Sequence, residues 1–288
     1  MMTRTLATVC VLLCIAAQAR AQTTAAQAAP MCTRAELQAV VDSYVAAQKA
    51  GDVSKIALAE KVTFRENMSD VGKADGLWNT GLPIALSRSI LDATRCKTFT
   101  EIIVTDGGHP YVIGTRLYVD KGKVTRVDSL VTDKGDWLFN ATAYLKYSSA
   151  EDWRAPKADA RVSAQELINA ANSYLDLFSD KFVKVPWGRP CARLEGGAYT
   201  NRTNDPNATC EVGIPPGVLY IVNRDYVVDT DMGVINVYCR FGNSSTGMPD
   251  SHTFRFVNGK LANVHTLSVN LNPNTPSPQA DDNGVILR

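Results

Sequence analysis

The 288-residue chain lacks the signatures of the commoner catalytic machines. It has no Gly-x-Ser-x-Gly elbow, phosphate-binding loop, dinucleotide fingerprint or His-Glu-x-x-His pair, so the usual hydrolase, kinase, dehydrogenase and metalloprotease readings have no support. No CxxC pair is present, which argues against a structural zinc site; no metal and no cofactor are expected. Neither sign of charge predominates, with 30 Lys and Arg against 29 Asp and Glu. That balance gives no electrostatic case for nucleic acid or an anionic membrane, and the expected partner is a small apolar metabolite. After the first residues no run is apolar enough to span a bilayer, so no membrane span is expected, and the oligomeric state stays open.

Residues 1–21 read as a signal peptide: Arg4 supplies the positive flank, Leu6 to Ala17 a short apolar run, and Ala19-Arg20-Ala21 the cleavage site. Losing Arg4 and Arg20 takes the formal charge from +1 to about −1. The expected location is outside the cell or in the secretory lumen. Asn-x-Ser/Thr acceptors at Asn67, Asn140, Asn201, Asn207 and Asn243 fit that route. Cys10 and Cys14 leave with the signal, and in an oxidising compartment the remaining cysteines suggest Cys32 to Cys96 and Cys191 to Cys210, with Cys239 a buried free thiol. A pairing of Cys239 with Cys191 or Cys210 stays open at this level.

The chain says nearly the same thing twice. Thr33-Arg34-Ala35-Glu36 and Ser163-Ala164-Gln165-Glu166 are both capping boxes opening a helix with a Tyr-bearing apolar stripe, through Tyr44 and Tyr174. Later, Lys121-Gly122-Lys123-Val124 is matched by Asn258-Gly259-Lys260-Leu261, each a two-residue hairpin turn. A duplicated α+β domain follows, with a first cone over 22–147, a charged linker over 148–161, a second cone over 162–271 and a Pro- and Asn-rich disordered tail over 272–288. Strands are expected around Ile102-Ile103-Val104, Tyr111-Val112-Ile113, Val218 to Val222 and Val234 to Tyr238.

If each hairpin ladder runs regularly from its turn, His252 lies directly opposite His265, and Thr115 opposite Asp128. The second copy then holds an imidazole pair where the first holds a hydroxyl and a carboxylate, both able to move protons at mild pH. Asp250, two residues before His252, is placed to orient it, although these three side chains need not converge on a metal. His109 sits in a Gly-Gly-His-Pro turn, as a turn cap or at a pocket rim. Arg193 and Glu195 share a strand face and are expected to pair, with Glu195 aligned to Glu66 of the first copy.

Ser43-Tyr44-Val45, the Lys121 to Asp128 hairpin and Gly135-Asp136-Trp137-Leu138-Phe139-Asn140 resemble the ketosteroid isomerase-like (SnoaL-like) cone proteins. Pro190 to Tyr199, Tyr226-Val227-Val228-Asp229 and Pro249-Asp250-Ser251-His252 look more narrowly like a secreted fungal family with two such cones in tandem, mostly without assigned activity. The resemblance implies helices packed in curved antiparallel sheets. It also implies a cofactor-independent isomerase or cyclase acting on a polyketide-type metabolite, with a relation to dimerising cyclases that join anhydride monomers into maleidrides. His265 assisted by His252 would be the base, with Asp128 serving the first cone. The rival expectation is a non-catalytic secreted metabolite-binding protein.

Overall fold

A computed structural model describes residues 31–211, 214–242, 246–272, 274–275 and 277–287, so the segment expected to be a signal peptide and the acceptor Asn243 lie outside the described residues. In the first half, helix α1 (Arg34–Ala50) is followed by strands β1 (Leu58–Glu66), β2 (Ser69–Asp70), β3 (Leu86–Asp92), β4 (Lys97–Val104), β5 (Tyr111–Asp120) and β6 (Lys123–Thr132), then helix α2 (Ala141–Ala150). The second half repeats this with α3 (Ala164–Asp176), β7 (Trp187–Glu195), β8 (Ala198–Tyr199), β9 (Ile221–Asp229), β10 (Val234–Phe241), β11 (Met248–Val257) and β12 (Lys260–Ser268). Val218 to Tyr220 precede β9 rather than belonging to it.

Both capping boxes form, with the Thr33 and Ser163 side chains accepting from the Glu36 and Glu166 amides. The helices bury Leu37, Val40, Val41 and Tyr44 in one cone and Leu167, Ala171, Tyr174 and Leu175 in the other. Each lies across a six-stranded sheet, in the orders β2-β1-β6-β5-β4-β3 and β8-β7-β12-β11-β10-β9. Two α+β cones in tandem are therefore present. The sheets are mixed, not antiparallel throughout: β1 runs parallel to β6 and β7 to β12. Each of these strands joins its sheet beside the strand last made, entering in the same direction after a helix instead of through a hairpin.

Both hairpin turns place their central residues at positive φ, Lys121 and Gly122 at 48° and 73° and Asn258 and Gly259 at 51° and 70°, as a twisted two-residue turn requires. Past each turn the ladder slips by one. Val119 pairs with Val124 but Tyr118 with Arg126; Phe256 pairs with Leu261 but Arg255 with Asn263. Thr125 and Ala262 are the extra residues of matched β-bulges, and beyond a bulge every side chain changes face. This overturns the regular register. Thr253, not His252, stands opposite His265, and Arg116, not Thr115, opposite Asp128.

The faces turned away from α1 and α3 meet back to back. Arg116, fully buried, crosses from β5 and donates to Asn236 Oδ1 from Nε at 2.9 Å and Nη2 at 2.6 Å; it also pairs with Asp225 at 2.9 Å and covers the Tyr238 ring at 3.9 Å. Tyr238 in turn donates to the Gly114 carbonyl. Gly114 is needed for the close approach, since a Cβ there would meet Phe99 at 2.8 Å and Leu267 at 3.3 Å. At the sheet edges the contact is reciprocal: Asp229 accepts from the Leu91 amide and Asp92 from the Val228 amide, both at 2.9 Å. Cys32–Cys96 and Cys191–Cys210 are bonded, one bridge per cone, and Cys239 is free and buried.

Two segments differ from expectation. The linker begins inside α2 and then drives Glu151 and Trp153 between the cones. The tail expected to be disordered folds back: Leu138 donates to Pro278 O at 2.8 Å, Tyr199 to Gly284 O at 3.0 Å, and Ala280 bridges Ile286. Its Pro and Asn content reflects a chain bonded to other segments rather than to a ladder of its own. Among the described residues no helix is long and apolar enough to cross a membrane.

Because Arg116 supplies donors to the amide oxygen of the fully buried Asn236, Arg116→Met should cost about 3 kcal/mol in unfolding free energy by denaturant titration.

Candidate functional site

The first cone is filled by side chains that satisfy one another. The Tyr44 hydroxyl donates to Thr115 at 2.7 Å, Thr115 and Ser129 share a bond of 2.8 Å, and Phe64 packs on Trp78 with ring centroids 5.1 Å apart. Glu66 accepts from the Leu77 amide at 2.8 Å, and burial raises its pKa. Asp128 is not in this cone. The bulge turns it to the outer face, where Arg126 and Arg65 flank it. His109 is exposed at its turn, 3.0 Å from Asp133 and stacked on Tyr111.

The second cone carries the polar set. His252 faces inward between Tyr174 and Phe254, with ring centroids at 5.9 and 5.7 Å. Arg193 and Glu195 pair at 3.2 Å, and Glu195 opposite Thr266 matches Glu66 opposite Ser129. Burial pushes the Tyr174 hydroxyl up to about 12. Asp250, Cys239 and His252 are all at most 2% exposed.

His265 is on the other face, in a separate cluster between the cones. Its Nδ1 lies 3.1 Å from Glu101 Oε2 and its Nε2 2.6 Å from Glu151 Oε2. Tyr144 donates to Glu101 at 2.7 Å, Trp153 Nε1 to Glu151 at 2.9 Å, and Arg88 lies 3.4 Å from Glu101. Burial alone would lower the imidazole pKa, but the Glu101 and Glu151 carboxylates outweigh it and raise it to about 9. For both carboxylates burial works upward and His265 downward, with a net lowering. His265 is therefore an imidazolium with both nitrogens occupied, which removes it as a general base, and His252 on the opposite face cannot assist it.

Glu151 also forms part of the wall of a groove of about 700 Å³, where the end of α2 meets the outer face of β7, β12 and β11. That volume lies in the range of small-molecule sites. Tyr147 and Tyr199 stack at 4.2 Å along one wall, and the tail holds this pair through Tyr147 Oη to Asn283 O at 2.6 Å and the Tyr199 amide to Gly284. The Tyr199 hydroxyl pKa is raised, first by burial and then by Glu151. Glu151 Oε1 and Arg255 Nε are buried without a hydrogen-bond partner. Glu101 and Glu151 were missed in the sequence. A lone carboxylate within Thr98 to Val104 was the available signal for the first; Glu151 lay in a stretch read as linker.

The glycosylation acceptors divide. Asn207 is exposed, whereas Asn140 caps α2 and donates to Ala280 O, and Asn201 donates to Asp205 O. Asn67 accepts from the Val131 amide through Oδ1. A glycan on Asn140 or Asn201 would displace these internal bonds.

Residues 160–268 match a sequence family described only as a domain of unknown function (DUF8021). No protein of curated function matches the chain. Similar solved structures include an NTF-2 like protein of unknown function from Burkholderia xenovorans, 14% identical over 34% of this chain and 84% of that one, TM-score 0.28. A putative ketosteroid isomerase from Kribbella flavida is 21% identical over 34% and 79%, TM-score 0.26. A putative polyketide cyclase from Pseudomonas putida is 24% identical over 32% and 89%, TM-score 0.27.

The His265 clamp sets a pH window. With a folded pKa of about 9 above an unfolded value of about 6.5, His265 contributes fully below about 6.5 and its contribution is lost as pH rises through about 9. The lowered carboxylates contribute above their unfolded values, about 4.3, and lose that contribution on acidification. The thermal midpoint should peak between these limits, and His265→Gln should remove most of the alkaline fall.

Proposed function

We propose that this chain is a secretory-pathway protein that binds a small, largely apolar metabolite in the groove between the end of α2 and the outer face of the second cone, with Glu151 accepting a hydrogen bond from the ligand. The observation that carries this reading is that Glu151, one of the residues lining the 700 Å³ groove, has a buried Oε1 with no hydrogen-bond partner, its carboxylate kept ionised by His265. A buried acceptor without a donor costs about 1–3 kcal/mol, which a ligand hydroxyl would offset once a side-chain shift opens this oxygen to the groove. The stacked Tyr147 and Tyr199 supply an aromatic face for the apolar body. The two disulfides fit passage through an oxidising compartment.

A second reading, a cofactor-independent isomerase or cyclase acting on a polyketide-type metabolite, rests on Tyr199 standing beside Glu151. In it Glu151 takes the proton next to a carbonyl and Tyr199 donates to the resulting enolate. His265 works against proton abstraction by lowering the Glu151 pKa, which is why binding is placed first.

Naphthol, a flat apolar molecule ending in a hydroxyl, is a suitable fluorescent probe. It should bind saturably, about tenfold more weakly to Glu151→Gln, and not to Asn263→Trp, which fills the groove. The absence of saturable binding, or binding that Asn263→Trp leaves unchanged, would remove the groove from the function. Deuterium uptake into tetralone, catalysed by the wild type and lost in Glu151→Gln, would select the enzyme reading; uptake at the uncatalysed rate would leave the binder.

A further inference from the structure

Inside the second cone, on the face opposite His265, three side chains of metal-ligating type converge from adjacent strands. Cys239 on β10 stands directly across from Asp250 on β11, and His252 follows on the same face two residues later. The Cys239 Sγ lies 3.5 Å from Asp250 Oδ2, His252 Nδ1 lies 2.8 Å from that oxygen, and the donor atoms of all three residues are within 4.8 Å of one another.

The first cone shows that the fold does not require these groups. By the same strand registers, the positions of Cys239, Asp250 and His252 are occupied there by Ile102, Ile113 and Thr115, all of them at most 1% exposed. An apolar pair and a hydroxyl thus fill the space in one copy, and a thiol, a carboxylate and an imidazole in the other. The polar set is also left incomplete. Asp250 is fully buried and accepts from Ser268 Oγ at 2.7 Å and from the Cys239 thiol, with no Lys or Arg among its ion pairs. His252 Nδ1 is close to it but out of line for an N–H bond, so a nitrogen on a 2% exposed residue has no hydrogen-bond partner. A buried carboxylate with no Lys or Arg beside it and a ring nitrogen that faces it out of line for a hydrogen bond are both costly, and one ligand settles both.

We infer that Cys239, Asp250 and His252 form a binding site for a divalent borderline-soft cation, Zn²⁺ being the best fit, at a place separate from the groove. A thiolate and a carboxylate neutralise the two charges of the ion, so the occupied site carries no net charge into the core. Thiolate, imidazole and carboxylate are all zinc ligands, and a trio leaves one position of a tetrahedron for water or an exogenous ligand. For a sulfur about 2.3 Å and an oxygen about 2.0 Å from a tetrahedral centre, the two ligand atoms sit about 3.5 Å apart, the Cys239 to Asp250 separation. Nitrogen and oxygen need about 3.3 Å, a small rotation of the imidazole from 2.8 Å. Ser268 on Asp250 Oδ1 holds the carboxylate from behind. Binding releases the Cys239 thiol proton, and loading accompanies folding, because the site is closed in the folded chain.

The test uses the full chain with both disulfides formed, unfolded in denaturant with chelator and refolded with or without Zn²⁺. The wild type is expected to retain about one zinc per chain after desalting and to gain at least about 5 °C in Tm. Refolded with Co²⁺, it should show a sulfur-to-cobalt charge-transfer band. Cys239→Ala, which keeps the apolar character of the matching first-cone position, should lose the zinc, the Tm gain and the band while matching the metal-free wild type in Tm. Wild-type protein that retains no zinc, or zinc retention unchanged in Cys239→Ala, overturns the inference. If the variant fails to refold, the cobalt spectrum of the wild type decides alone, and absence of the sulfur band overturns it. None of these readouts depends on ligand binding in the groove.

Discussion

One extra residue in each central hairpin governs where the chemistry of this chain ends up. Period-two alternation assigns side chains to faces, and a bulge reverses that assignment for the rest of the strand. Thr125 and Ala262 make the reversal at the same place in both copies, and the bulged strands place Asp128 and His265 outside their cones. Without the bulges the buried apolar residues of β6 and β12 could not all face α1 and α3, because Val124 and Val127, and Leu261 and Val264, are spaced by three and every one of them is 0% exposed.

The outer faces then have to accommodate charge in a dry interface, and they do so by mutual satisfaction. Arg116 reaches Asn236 and Asp225, Asp92 and Asp229 exchange backbone donors, and His265 is held between Glu101 and Glu151. Arg116, Asp92, Asp229 and His265 each take a partner from the other half, which ties the two halves together. The groove opens where the end of α2 and the start of the linker lie over the outer face of the second sheet, and Glu151 is one of its lining residues.

The duplication, both helix caps, the two disulfide pairs, the free Cys239 and the Arg193–Glu195 pair were legible, because each rests on local chemistry or on copy-to-copy correspondence. What failed was register. A two-residue turn fixes the first pairs of a ladder but not a bulge beyond it, and one slip was enough to put two histidines on the wrong sides of a sheet from each other. The signal was present in the spacing of Val124 to Val127, repeated at Leu261 to Val264. Partners from distant segments were beyond local reading: Glu151 is held by His265, and the tail is held by Leu138, Asn140, Tyr147 and Tyr199.

The reciprocal contact in which Asp92 and Asp229 each cap the strand of the other copy is the self-complementary contact of a two-fold dimer, here closed within a single chain. In a true homodimer any substitution appears twice and must be tolerated in both halves at once. Covalent fusion lifts that constraint. One copy can keep Ile102, Ile113 and Thr115 as packing while the other trades them for Cys239, Asp250 and His252, and one can carry an Asp128 where the other carries a His265. Joining the halves end to end is thus what permits this molecule two different interiors inside one symmetrical frame.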